Sequence, residues 1–212
     1  SEGRGDGQLK APSGICTDSS GNIFVSNMKN NRIDMFTSRG DFPITFGGNG
    51  KSPGKFQYPN AVAVSVENEI YVLDVDNRRI QVFNKDGQMS TVDPKSSTYF
   101  PAIAVNVLNG NIAVVTKGNT IFVFLPDGSV YNRFQLVGGV DVSFVTFNNE
   151  GNILFTDAMR NTVHEYTRDG DKLFQFGSKG RGEGQLRSPA RICTDSSGNI
   201  FVSNMRNKRF DM

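Results

Sequence analysis

Residues 15–28, ICTDSSGNIFVSNM, return letter for letter as residues 192–205. Fourteen identical positions in a chain of 212 residues mark an internal repeat, and weaker copies lie between the two. A repeat of this kind is one supersecondary unit that does not cover its own apolar face, so neighbouring copies must cover one another. Function then belongs to the array and has to be sought in the loops that the array brings together.

Each unit opens with a glycine-rich loop, often ending in proline: GQLKAP (7–12), GKFQYP (54–59), TYFP (98–101) and GQLRSP (184–189). A short alternating segment follows, as at 60–66, 102–107 and 142–148. The tight turns DSSGN (18–22 and 195–199), LNGN (108–111) and NEGN (149–152) place glycine where a short hairpin needs positive φ. Second strands read IFVSN, IYVLD, IAVVT, ILFTD and IFVSN, rich in β-branched and aromatic residues. Third strands fall at 32–36, 79–83, 120–124 and 162–166. Glycine turns at 38–40, 85–87, 126–128 and 168–170 lead to the fourth strands PITFG, QMSTV, YNRFQL and KLFQFG. No stretch has a 3.6-residue apolar period, which excludes a helical reading. Four antiparallel strands recurring every ~40–45 residues is the spacing of a propeller blade. The expectation is an all-β propeller domain over 1–212, with units at about 7–53, 54–97, 98–138, 139–183 and 184–212. Four are complete; the fifth stops at Met212 before its fourth strand. An unpaired blade edge at 209–212 or 7–19 is a candidate surface for self-association.

Composition narrows function less than the repeat does. The formal charge of +2 is too small by itself to indicate a nucleic-acid partner, so its distribution decides. No apolar run is long enough to cross a bilayer, and nothing resembles a signal peptide. The first residues read as the loop before a repeat, so an excised domain is expected. Cys16 and Cys193 occupy matching places in the first and last copies. They are expected to be small buried residues rather than a disulfide, which favours a reducing compartment.

The unit resembles the NHL repeat, named for an Asn-His-Leu-like triplet at the start of the third strand. The matching positions are Asn30-Asn31-Arg32-Ile33, Asn77-Arg78-Arg79-Ile80 and Asn207-Lys208-Arg209-Phe210. The G-x-F/L-x-x-P opening, the D-x-x-G-N turn and the Phe-Gly end of the unit (Phe46-Gly47, Phe176-Gly177) match as well. Taken together these motifs look most like the C-terminal NHL domain of tripartite-motif proteins. Two departures stand out. Such domains usually have six blades, and the fourth unit here carries Gly139-Val140-Asp141-Val142 in place of the opening proline.

In a propeller, fourth-to-first and second-to-third connections emerge on one face. Sorting charges by strand order gathers cations such as Lys10, Lys29, Arg78, Arg160, Arg187 and Arg206 there, and acids such as Asp18, Glu67, Asp127 and Asp169 on the other. A positive face attracts polyanions, and a ring at a loop tip can stack on an unpaired base. The resemblance implies single-stranded RNA bound on this face. By position it points to Tyr58, Asn60, Arg78, Phe100, Lys117 and Arg160, with Arg191, Arg206 and Lys208 from the incomplete unit. The recurrent Arg32, Arg79 and Arg209 are expected to brace loops instead.

The implied role is ligand recognition within a cytoplasmic regulator. The alternative is a protein-interaction platform that recruits substrates for a tripartite-motif ubiquitin ligase whose RING domain lies outside this chain. Catalysis is not expected of the chain itself. Its single histidine, His164, lies within a strand, and with two distant cysteines it makes no usual zinc site, so no metal or cofactor is expected. Asp74, Asp157, Asn27 and Asn204 end second strands, where accepting backbone hydrogen bonds is the natural role. GKSPGK at 50–55 lacks the spacing and the following helix of a phosphate loop.

Overall fold

The computed structural model describes residues 2–42, 44–84, 86, 88–92, 102–116 and 118–212. They fall into two compact units, Ser1–Phe100 and Pro101–Met212.

The first unit holds two four-stranded antiparallel sheets. Blade 1 runs Pro12–Thr17, Ile23–Asn27, Arg32–Phe36 and Ile44–Gly47 in spatial sequence; blade 2 runs Pro59–Val64, Ile70–Asp74, Arg79–Phe83 and Met89–Val92. The first strands of the two blades pack side by side, and apolar residues alternate into the seam. Phe24, Ile33, Val62, Val64 and Val72 form its core together with Phe56. Phe56 comes from the opening loop GKFQYP, so the apolar residue of the G-x-F/L-x-x-P motif is a plug between blades. Its ring meets Phe46 at 6.4 Å and Phe83 at 5.8 Å. That plug explains the glycine closing the first unit. A Cβ on Gly47 would lie 2.6 Å from the Phe56 ring, and its φ of +113 is open to glycine alone.

The second unit holds three sheets. Blade 3 is Ala102–Val105, Ile112–Val115, Thr120–Phe124 and Val130–Gln135; blade 4 is Val142–Phe147, Ile153–Asp157, Thr162–Tyr166 and Lys172–Phe176. Blade 5 has three strands, Pro189–Thr194, Ile200–Asn204 and Arg209–Asp211, as the sequence led one to expect. Its opening loop, read as irregular from the sequence, contains a parallel pair between Ser178–Lys179 and Gln185–Leu186. Leu186 is the plug here, buried with Leu154, Val163, Ile192 and Val202 between blades 4 and 5. Strand ends match the sequence expectation to within a residue or two. Among the described residues helix is limited to the 3-10 turns Met28–Asn30 and Met205–Asn207.

The first strands of blades 1, 2, 4 and 5 carry one extra residue after the opening position. Register shifts occur between Pro12 and Ile15, Pro59 and Ala61, Val142 and Phe144, and Pro189 and Ile192. Such bulges leave backbone groups off the ladder and re-aim a side chain. Hydroxyls of the second strand satisfy them: Ser26 Oγ accepts the Gly14 N–H at 2.6 Å, Ser203 Oγ accepts that of Arg191 at 2.8 Å, and Thr156 donates to the Ala190 carbonyl at 2.7 Å.

The cysteines depart from expectation. Both are free thiols, but Cys16 is only half-buried and Cys193 is exposed. Burial, aided by Asp18, pushes the Cys16 thiol up to about 12, so it is an inert group.

Candidate nucleic-acid interface

The opening loop and the second-to-third turn meet at one end of each sheet, and a buried polar lattice holds them there. Asn27, at the end of its strand, accepts the Lys10 N–H at 2.8 Å and donates to the Gln8 carbonyl at 2.9 Å. Asp74 accepts the Gln57 N–H at 2.7 Å, and Asn204 accepts that of Arg187 at 2.7 Å. All three are wholly buried, so their role as loop acceptors, expected from the sequence, is what keeps the loops in place.

An arginine completes each lattice. Arg32 donates to the carbonyls of Arg4 at 2.9 Å and Gly5 at 2.7 Å, and its Nε lies 2.9 Å from Asp34 Oδ1, a close ion pair without hydrogen-bond alignment. Arg79 pairs with Asp74 at 2.8 Å and reaches the Lys55 carbonyl; Arg209 pairs with Asp211 at 2.8 Å and reaches Arg181 and Gly182. These arginines are braces.

The residue before the third strand is left-handed wherever it is described: Asn31, Arg78, Asn119, Asn161 and Lys208 have φ between +53 and +61. Asparagine tolerates this region best among residues with a side chain. Its amide also staples the next blade. Asn31 accepts the Tyr58 N–H at 2.9 Å, Asn161 accepts the Ser188 N–H at 2.9 Å, and Asn119 donates to the Val140 carbonyl. Arg78 and Lys208 break the pattern. Both are exposed, and neither side chain has a hydrogen-bond or ion-pair partner among the described residues.

The sequence-predicted site residues separate into groups. In the first unit, Tyr58 and Arg78 lie at the same end of blade 2. Tyr58 is 39 % exposed and is itself left-handed at φ +61, as are the pre-proline residues Ala11 and Ser188. Asn60 turns inward instead: its Oδ1 accepts from Ser13 at 2.6 Å across the blade seam, so it is a structural contact. In the second unit, Arg160 is committed. Its guanidinium holds the carbonyls of Gly138 and Gly139 and lies 3.2 Å from Asp157, which makes it the brace of a blade whose third strand begins with Thr162. Arg206 and Lys208 are exposed on the second-to-third turn of blade 5. Arg191 sits in the bulge of that blade's first strand, its guanidinium carbon 3.6 Å from the centroid of Phe144. Partial burial draws its pKa down from the ordinary value, and it remains a cation. Phe144 was missed by the sequence reading, because nothing in SFVT marks a bulge. Phe100 and Lys117 lie outside the described residues.

His164 is a packed strand residue, as expected. It is 4 % exposed and stacks on Phe155 with 5.0 Å between centroids. Nε2 lies 2.9 Å from Thr162 Oγ1, and Nδ1 is buried without a partner among the described residues. Among these residues no helix is long and apolar enough to cross a membrane.

Comparison with known proteins agrees with this architecture. A family model described as a 6-bladed beta-propeller matches residues 4–101. Protein lin-41 of Caenorhabditis elegans is 46% identical over 41 residues, which is 19% of this chain and 4% of that protein. Among solved structures, a streptogramin B lyase superposes with a TM-score of 0.75 at 18% identity, covering 94% of this chain and 64% of the lyase. A catalytically inactive virginiamycin B lyase from Staphylococcus aureus with quinupristin gives 0.72 at 19%, covering 94% and 65%. A Bacteroides thetaiotaomicron protein of unknown function gives 0.72 at 16%, covering 96% and 56%. The chain thus spans less than two thirds of the structures it matches and a small part of its curated relative. At such identities the structural likeness shows the fold alone, and that fold is an all-β propeller of four-stranded blades.

Proposed function

We propose that this chain is a recognition module that binds single-stranded RNA at the loop ends of its blades, and that catalysis is not its task. The observation that carries the reading is Arg78. It occupies the left-handed register where asparagine in blades 1, 3 and 4 staples the next blade, yet it is exposed and unpaired among the described residues. A residue kept in a sparsely populated conformation without a structural contact suggests a ligand contact. Tyr58 supplies a half-exposed ring at the same end of the sheet, suited to stacking on an unpaired base while Arg78 holds a phosphate. The resemblance to NHL repeats points the same way. It also favours a place within a larger cytoplasmic regulator of the tripartite-motif kind, whose ligase chemistry would reside in other domains.

A second reading has its own support. Val137 and Met159, at the loop end of blade 4, are 78 % and 69 % exposed, and exposed apolar tips suit a protein partner. Titrating a labelled oligouridylate across a range of salt separates the two. RNA binding predicts an affinity that falls steeply with salt and weakens in Arg78→Glu. Affinity indifferent to both would remove the RNA reading in favour of the protein platform.

A further inference from the structure

Two places past the buried residues Asn27, Asp74, Asp157 and Asn204, the second-to-third turns carry Lys29, Asp76, Met159 and Arg206. The turn thus changes charge from blade to blade while its backbone role is kept. Of the two cationic turns, that of blade 1 is followed by another blade, whose opening loop supplies Asn49. Asn49 is pinned there by a bridge to Phe56, the buried plug.

Arg4, Lys29, Asn30, Asn31, Arg32 and Asn49 line a cavity of about 350 Å³ at this place. Its walls are fixed. Arg32 donates to the Arg4 carbonyl at 2.9 Å, Asn30 donates to the Gly3 carbonyl at 2.8 Å, and Gln8 Oε1 accepts the Gly5 N–H at 3.0 Å. The Arg4 backbone is therefore held while its side chain stays exposed. Lys29 is exposed as well, and neither side chain has a hydrogen-bond or ion-pair partner among the described residues. The charge of Arg32 is offset by Asp34 at 2.9 Å. Glu2 and Asp6, the carboxylates of the same loop, are not in the wall. Two cations without a counter-charge thus share one concavity with asparagine amides.

Charge and shape select the ligand. A phosphodiester brings one charge and a base, and no ring lines this cavity. A phosphorylated serine or threonine brings a charge of about −1.5 to −2 and three acceptor oxygens. The cavity is about ten times a water molecule's share of the liquid, room for a phosphoryl group and the adjoining peptide backbone. We infer that this cavity takes a phosphoserine or phosphothreonine of a partner protein, with Arg4 and Lys29 on the phosphate and the amides of Asn31 and Asn49 beside the backbone. The inference rests on the protein-partner reading and is independent of RNA binding at Arg78. In blade 2, Asp76 at the place of Lys29 would repel the same anion.

The test titrates a labelled Gly-Ser peptide carrying one phosphoserine into the chain 1–212. Binding with a Kd of about 1 mM or tighter is expected, which two or three charge-assisted hydrogen bonds can hold. The unphosphorylated peptide should not bind, and inorganic phosphate should bind several-fold more weakly. Lys29→Asp, which installs the blade 2 residue, should weaken binding at least about tenfold, and Arg4→Ala about tenfold, the effect of one charge-assisted hydrogen bond. Melting curves check that each variant is folded. The charged groups around the cavity are Arg4, Lys29 and Arg32, with Asp34 behind. Affinity should fall between about pH 7.5 and about pH 5.5, because the second phosphate pKa lies near 6, whereas 5′-hydroxyl oligouridylate has no such group. Equal binding of both peptides, or a Lys29→Asp variant that binds like wild type, overturns the inference. So does inorganic phosphate binding as tightly as the phosphopeptide, which would make this a free-anion site. So does oligouridylate losing as much as the phosphopeptide in Lys29→Asp with neither responding to pH, which would make it an RNA contact. Each failure leaves intact the protein-partner reading, whose residues are Val137 and Met159.

Discussion

Asp157 Oδ2 lies 3.9 Å from Nε2 of His164, across the second and third strands of blade 4. The same two positions are Asn27 and Asp34 in blade 1, Asp74 and Gln81 in blade 2, and Asn204 and Asp211 in blade 5. Each pair has one carboxylate, and each carboxylate has one arginine within ion-pair distance. Two buried carboxylates would repel, and a buried arginine without one would be uncompensated. In blade 4 the neutral partner is an imidazole, which makes this lattice sensitive to pH. Burial, with smaller contributions from Lys172 and Arg160, pushes the His164 pKa below its ordinary 6.5, and Asp157 opposes them. The folded chain therefore keeps His164 neutral where the unfolded chain already takes up a proton. The stability this gives is present above about pH 6.5 and is lost as pH falls toward the folded pKa. His164→Gln installs the partner used in blade 2. Thermal melts at about pH 7.5 and about pH 5.5 should show a smaller acid-induced drop in the variant than in wild type. Equal drops would mean that His164 charges freely in the folded state.

The exchange of carboxylate and amide between blades 1 and 2 predicts a coupled pair. Asn27→Asp alone places a second carboxylate against Asp34, where the side chains now approach to 2.5 Å. That should cost about 2–4 kcal/mol at neutral pH. Asp34→Asn alone strips Arg32 of its buried counter-charge and should also destabilise. The double variant recreates the order of Asp74 and Gln81, in which the arginine pairs with the second-strand carboxylate. Urea unfolding of the four proteins gives the coupling energy, expected to recover at least about 1 kcal/mol. Additive losses would show that strand position, and not the count of carboxylates, is what matters.

Strand order was legible because the blades repeat local signals: a β-rich run, a glycine turn and, in all but the fourth, an opening proline. The bracing arginines were legible for the same reason, since Arg32, Arg79 and Arg209 share a register. Arg160 was not. It lies two residues ahead of that register, and only the fold shows it gripping Gly138 and Gly139 in place of the missing arginine at Thr162. Asn60 misled for a different reason. Its position beside the proline suggested a surface reader, but the bulge turns it toward Ser13. Bulges depend on cross-strand register, which no single strand encodes, and the Arg191–Phe144 contact was hidden by two of them.

Arg78→Asn separates binding from folding. The position is left-handed at φ +54, and asparagine is the residue found there in blades 1, 3 and 4. Replacing arginine relieves backbone strain of up to about 1 kcal/mol and removes no contact seen among the described residues. Melting temperature should hold or rise, while affinity for oligouridylate falls. The pairing of those two results is diagnostic. A variant that loses stability and affinity together would show that Arg78 is part of the scaffold.

Gly14 and Arg191 hold matching places in near-identical blades, and substituting each should destabilise for a different reason. At residue 14 any side chain drives into blade 2, where the Ala61 Cα and the Val62 nitrogen would lie 2.7 and 2.8 Å from its Cβ. Both of those atoms belong to a paired strand, so relief requires moving a sheet rather than rotating a side chain. Gly14→Ala should therefore destabilise by about 1–3 kcal/mol, the range for overpacking a tight interior, even though alanine suits a strand better than glycine. Arg191→Gly, made in a fourteen-residue context identical to that beside Gly14, creates no clash. Its cost is the stacking contact with Phe144 and added backbone freedom, about 1–2 kcal/mol together. Urea midpoints of the two variants decide the matter. If Gly14→Ala is as stable as wild type, the blade 1 seam is looser than this packing requires, and Gly14 was not what excluded a basic side chain from that blade.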